Sequence, residues 1–240
     1  MHNKNFGLTV IVPFYNESST LKKSLTSLID EKIADEIILV DDCSTDDSYL
    51  IAKNISDNYP NIKLLKKSVN EGKGSAVIFA KNEISYSHLI VHDADLEYSP
   101  RDIKKLFNIS KNEPACLILG SRTESNIKRK KIYKSLVLIN KFYSIIFSIL
   151  NNYKVSDIAT CYMLMPSNFF IENIDKEKGF GIEVEILSSF LQTNNKIIEY
   201  PISYVGRKYS EGKKIKLKDG INIFFKIIKY SKFILFFKIN

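Results

Sequence analysis

Short apolar runs and amphipathic stretches alternate along the first half of the chain. Residues 8–13, 37–40, 62–65, 89–91 and 116–119 are brief runs rich in Val, Ile and Leu, the pattern of strands buried on both faces. Between them, residues 20–29, 46–56, 74–84 and 100–110 read as helices. In the first of these, Leu21, Leu25, Leu28 and Ile29 recur on one face, and Asn16-Glu17-Ser18-Ser19 supplies helix-start chemistry ahead of it. Ser99-Pro100 opens the last. Strand and helix in strict alternation predict an α/β fold, a doubly wound and mostly parallel sheet with flanking helices. No internal repeat, low-complexity tract or Pro/Gly-rich linker divides the chain.

Four of the predicted strands stop at polar clusters, at residues 13–17, 41–42, 93–97 and 120–122. In an open α/β sheet, ligands bind in the crevice at such strand ends, so the clusters are expected to converge. His92-Asp93-Ala94-Asp95-Leu96-Glu97 is the most informative of them. Acidic residues also cap helices and start turns, but carboxylates at a strand end suit a hard divalent ion held against a diphosphate. Asn70-Glu71-Gly72-Lys73-Gly74 lacks the spacing of a P-loop and reads as a tight strand-to-helix turn.

Composition narrows the class. The 240 residues are 45% hydrophobic and 26% charged, which describes one globular domain with a sizeable core and argues against disorder. A net charge of +8 is compatible with nucleic acid, anionic lipid or phosphorylated substrates. The basic residues gather near apolar helices and one loop rather than in a nucleic-acid recognition motif, which disfavours nucleic acid. Cys43, Cys116 and Cys161 are odd in number and widely separated, as expected of reduced thiols in a cytoplasmic protein. His2, His88 and His92 form no zinc set, and His92 reads as a strand-end packing residue. Residues 1–6 are polar and carry no signal-peptide core.

Taken in order, Val12-Pro13-Phe14-Tyr15-Asn16-Glu17, Val40-Asp41-Asp42, Asn70-Glu71-Gly72-Lys73-Gly74, Asp93-Ala94-Asp95-Leu96-Glu97, Gly120-Ser121-Arg122 and Pro201-Ile202-Ser203-Tyr204 resemble family 2 glycosyltransferases, in the dolichol-phosphate mannose synthase-like branch. The resemblance covers roughly residues 6–220. It implies a GT-A fold, a nucleotide-sugar donor, Mg²⁺ or Mn²⁺, and inversion at the anomeric carbon. Matched by position, Pro13, Tyr15 and Glu17 line the nucleoside pocket, and Val40 and Asp42 contact the base. Asp93, Ala94 and Asp95 lie at the donor diphosphate, and the two aspartates hold the metal with Glu97, which stands where relatives carry Gln. Lys73 and Arg122 approach the donor. Asp157 and Glu185 match acidic positions facing the sugar region; Glu183, two residues from Glu185, cannot share its helical face, so at least one of the pair is expected in solvent. Arg207 and Lys213 match a phosphate-binding segment for donor and acceptor.

Residues 132–150 and 221–240 are apolar but lysine-bearing, unlike a clean spanning helix, and fit amphipathic helices lying in an anionic membrane surface. The chain is expected as one glycosyltransferase domain over 1–220 followed by a C-terminal amphipathic helix, peripheral to the cytoplasmic face of a membrane. Packing on the sheet, a homodimer contact or a separate membrane-protein partner are the alternatives for these helices. The reaction expected is hexose transfer from GDP-mannose, UDP-glucose or a related donor to a dolichyl or undecaprenyl phosphate. A sugar hydroxyl as acceptor is a second reading, with Asp157 or Glu185 as its base. A membrane-surface binding module without chemistry is a third, which leaves Asp93 and Asp95 unexplained.

Overall fold

The apolar runs become the centre of a seven-stranded sheet in the computed structural model, which describes residues 4–123, 129–130, 134–207 and 217–232. The strands are β1 (Asn5–Phe14), β2 (Glu36–Asp41), β3 (Ile62–Lys66), β4 (Tyr86–Val91), β5 (Leu117–Ser121), β7 (Met163–Pro166) and β8 (Ile197–Pro201). A separate short pair joins β6 (Arg129–Lys130) to β9 (Tyr204–Val205). The helices are α1 (Leu21–Asp30), α2 (Ser48–Ser56), α3 (Lys73–Phe79), α4 (Pro100–Ser110), α5 (Lys134–Asn151), α6 (Ser167–Asn173), α7 (Ile182–Gln192) and α8 (Leu217–Lys229).

Strand order is β3-β2-β1-β4-β7-β5-β8. β7 runs antiparallel to both β4 and β5, so β5 points the same way as β4, and the remaining pairings are parallel. The carboxyl ends of β1, β2, β4 and β5 therefore share one rim. Alternate residues feed two cores: Ile11, Leu89, Val91, Leu117 and Leu119 face one side of the sheet, and Val10, Val12, Ile90 and Ile118 the other. Covering both faces with helices is what lets these strands be apolar almost throughout.

Element boundaries differ from the sequence expectation in physically simple ways. Asp46 and Asp47 stand outside α2; Asp46 accepts from Ser48 N at 3.0 Å and from Ser18 N at 3.1 Å, exchanging a helical role for a turn. The helix expected to 84 ends at Phe79 and gives way to a short 3₁₀ turn, Lys81–Glu83. α8 starts at Leu217 and so runs through the expected boundary at residue 220, packing on α5 and α7.

Candidate active site

Residues at the shared rim line a cleft of about 330 Å³. Pro13 lies near the end of β1 and Tyr15 and Glu17 follow it, Asp42 follows β2, Asp93, Ala94, Asp95 and Glu97 follow β4, and Arg122 follows β5. Lys73 enters from the start of α3, Glu183 and Val184 from α7, Ile223 from α8, and Arg207 from the segment after β9. Left-handed backbone recurs at these turns: Asn16 (φ 49°), Cys43 (φ 65°) and Leu96 (φ 63°). For Leu96 this conformation is unfavourable, and it is held by Asp95, whose Oδ1 accepts from Glu97 N at 3.0 Å.

Each charged group has a defined partner. Asp42 accepts from Lys67 Nζ at 2.7 Å, from Glu71 N at 3.2 Å and from Gly72 N at 2.7 Å, so it shapes the 70–73 turn. Lys73 Nζ lies 2.9 Å from Asp93 and 2.8 Å from Glu183. Burial alone would raise Asp93 and lower Lys73; their mutual attraction wins, holding the carboxyl below its usual value and the ammonium well above. Arg122 forms a fork on Asp157, Nε at 2.8 Å and Nη2 at 2.9 Å, and lies 5.9 and 5.0 Å from the ring centroids of Tyr98 and Tyr204. Arg207 places its guanidinium on Glu17 at 3.1 and 3.2 Å, with Asp95 at 3.4 Å, and its backbone N donates to Glu97 at 2.6 Å. Tyr204 OH holds the other Glu97 oxygen at 2.6 Å.

Asp95 is the least compensated of these carboxylates. Burial first, then the charges of Asp93 and Glu97, push it up to about 7, which Arg207 only partly offsets. Among the described residues no group of three His, Cys, Asp or Glu side chains is arranged to hold a metal ion. An acidic turn with one weakly paired carboxylate nevertheless fits a hard divalent cation that completes its coordination elsewhere. A metal bound at Asp95 would have to displace its proton, so Mn²⁺ affinity of the donor-free protein through this residue would fall about tenfold per unit below about pH 7. Titrations at pH 6 and 8 check this; equal affinities would contradict it.

Several expected site residues lie elsewhere. Val40 is fully buried in the core and does not line the cleft. Asp157 is fully buried under Arg122, whose attraction overcomes burial and keeps it ionised. Glu185 is also fully buried and accepts from the backbone N–H groups of Asp175, Lys176 and Glu177 at 2.8–3.0 Å. The expectation that Glu183 or Glu185 faces solvent fails, since the Glu183 side chain is only 12% exposed and sits on the cleft wall. The first turn of a helix pointing at a rim keeps both faces inside. Lys213 lies outside the described residues. His92 bonds Ser24 and Tyr162 beneath the site, and burial lowers it to about 4, so it is neutral packing. Lys67, just past β3, is absent from the sequence expectation; it is buried and holds Asp42 at 2.7 Å.

Residues 9–173 match glycosyl transferase family 2. The chain belongs to this family. Its relatives include a dolichol-phosphate mannosyltransferase of Pyrococcus furiosus, 29% identical over 86% of this chain, and an undecaprenyl-phosphate mannosyltransferase of Micrococcus luteus, 27% identical over 85% of each chain. The family 2 chain spans 58% of the length of the Pyrococcus protein. Among solved structures it resembles glucosyl-3-phosphoglycerate synthase from Mycobacterium tuberculosis in complex with Mn²⁺, UDP and glucosyl-3-phosphoglycerate. That likeness has a TM-score of 0.71 at 16% identity, covering 94% of this chain and 80% of that one. The fold of this glycosyltransferase is accordingly GT-A.

Proposed function

We propose that the enzyme transfers a hexose from a nucleotide diphosphate sugar to a polyprenyl phosphate, with divalent-metal assistance and inversion at the anomeric carbon. The observation that carries the acceptor class is the state of the two carboxylates a sugar-hydroxyl acceptor would need as base. Asp157 holds Arg122, and Glu185 holds three backbone N–H groups. Neither lines the cleft. A phosphate monoester is already anionic at neutral pH and attacks without a base. The relatives named for dolichol and undecaprenyl phosphate support the same class.

In this reading Asp95 is the principal protein ligand of Mg²⁺ or Mn²⁺, with Asp93 and Glu97 shaping its charge; the structural neighbour holding Mn²⁺ with UDP supports a divalent ion. The metal supplies Lewis-acid stabilisation of charge building on the leaving diphosphate. Tyr15 offers an aromatic face to the base, and Lys73, Arg122 and Arg207 surround the phosphates of donor and acceptor. Glu17 is then the residue that keeps Arg207 over the cleft. Competition between a short polyprenyl phosphate and oligosaccharides for labelled hexose tests the acceptor: label in lipid is expected, and label only in oligosaccharide would overturn the assignment.

A polyprenyl phosphate acceptor would bring the enzyme to a membrane surface. Among the described residues no helix is long and apolar enough to cross one. On α5, Leu138, Phe142, Ile145 and Ile149 are each at least half exposed and recur on one helical face; on α8, Ile221 and Phe225 do the same. Ile223 carries α8 to the cleft, so an apolar surface adjoins the reacting groups. Replacing Phe142 and Ile149 together with Glu is expected to reduce sedimentation with anionic vesicles at least tenfold while nucleotide binding persists. Undiminished sedimentation would exclude this face as the docking surface.

A further inference from the structure

Glu177 has no part in the chemistry above, yet it is 5% exposed and densely bonded. Its carboxylate faces α8: Lys226 Nζ donates to Oε2, Lys229 Nζ lies 3.5 Å from Oε1, and Tyr230 OH donates to Oε1 at 2.7 Å. Its backbone faces the other way. Glu177 N donates to Glu185 at 2.8 Å, and its carbonyl lies so close to α3 that a Cβ on Gly74 would come within 2.0 Å of it. The next carbonyl, of Lys178, accepts from Ser75 N at 2.8 Å. These contacts grip the turn that carries Lys73, whose ammonium joins Asp93 to Glu183.

Simple attachment of α8 does not require this cluster, since Ile227 is fully buried in the core and already anchors the helix. A buried carboxylate is expensive to desolvate, and its best-attested use is to fix one arrangement among several that apolar packing would tolerate. The geometry points to Glu177 as a positioning residue that ties the seating of α8 to the placement of Lys73 on the donor side of the cleft. Resting on the membrane reading of α8 given above, this makes docking and donor binding favour each other. By linkage each must strengthen the other by the same factor. Gly74 belongs to the same device, since only a residue without Cβ lets the Glu177 carbonyl sit against α3.

The test measures binding of UDP and GDP with Mn²⁺ to the full chain, first without lipid. Glu177→Gln and Lys226→Met are expected to weaken binding about tenfold, within the usual range of coupling between sites, while Lys226→Arg restores it. Anionic vesicles should tighten nucleotide binding to the wild type about fivefold or more and leave Glu177→Gln unchanged. Tyr230→Phe, which removes one hydroxyl and no charge, gives a smaller loss in the same direction and guards against misfolding of the charge variants. Wild-type nucleotide affinity in folded Glu177→Gln and Lys226→Met would overturn the inference, as would vesicle tightening that survives Glu177→Gln. Transfer to polyprenyl phosphate is not read in this experiment, so a wrong acceptor assignment shows separately in the competition assay.

Discussion

Asp95→Asn is expected to lower hexose transfer about a thousandfold or more and, at pH 8, to melt at a temperature equal to or above that of the wild type. The rate loss follows from removing the carboxylate proposed to hold the metal, a contribution of several kcal/mol to the barrier. Stability moves the other way because the folded protein raises Asp95 to about 7 by burial and by its neighbours Asp93 and Glu97. An unfolded aspartate ionises near 4, so the ionised group destabilises the fold progressively above that pH and fully above about 7. Asn keeps the acceptor that Glu97 N uses in the Leu96 turn. Melting curves at pH 5 and pH 8 should show a gain that is clearly larger at pH 8. A large drop in melting temperature would instead attribute lost activity to unfolding.

Asp157→Ala should cost stability as well as activity, by about 3–5 kcal/mol, which for a chain of this size is a melting shift of about 10 °C. Asp157 is fully buried and accepts from Arg122 through the backbone N, Nε and Nη2 and from Asn140 Nδ2. Its loss leaves a largely buried guanidinium beside Tyr98 and Tyr204 with no ion-pair partner among the described residues. Replacing both partners, Asp157→Leu with Arg122→Met, removes that penalty, so much of the stability should return while transfer stays low. Such separation would mark Asp157 as the residue that positions Arg122. If Asp157→Ala melts like the wild type and loses only kcat, Asp157 acts directly on the acceptor and the hydroxyl reading gains its base.

The first half of the fold was legible because its elements are locally consistent. Each of β1, β2, β4 and β5 is a short apolar run ending in a polar cluster, and that combination identifies both the strand and the rim it reaches. β7 was not legible: Met163–Pro166 is four residues long, ends in proline, and takes its place between β4 and β5 through antiparallel pairing that leaves no periodic trace. β8 and the β6–β9 pair are equally short or non-local.

Site residues divide along the same line. Glu17, Asp93, Asp95 and Arg122 follow strands directly, so sequence order alone placed them near one another. What each carboxylate does depends on partners far away in the chain, such as Arg122 for Asp157 and the 175–177 backbone for Glu185. Glu183 and Lys67 were hidden for a related reason. A glutamate two residues from another in an apolar helix, or one lysine in Lys66-Lys67, looks like surface until its partner, Lys73 for Glu183 and Asp42 for Lys67, is known.

The most direct measurement is transfer of radiolabelled hexose from GDP-mannose and UDP-glucose to a short polyprenyl phosphate, with Mn²⁺ or Mg²⁺ and with Asp95→Asn alongside. The account predicts an acid-labile glycolipid from one of these donors or a close relative, abolished by chelation and absent with the variant. Nucleotide-sugar binding without label in lipid under any of these conditions would contradict it.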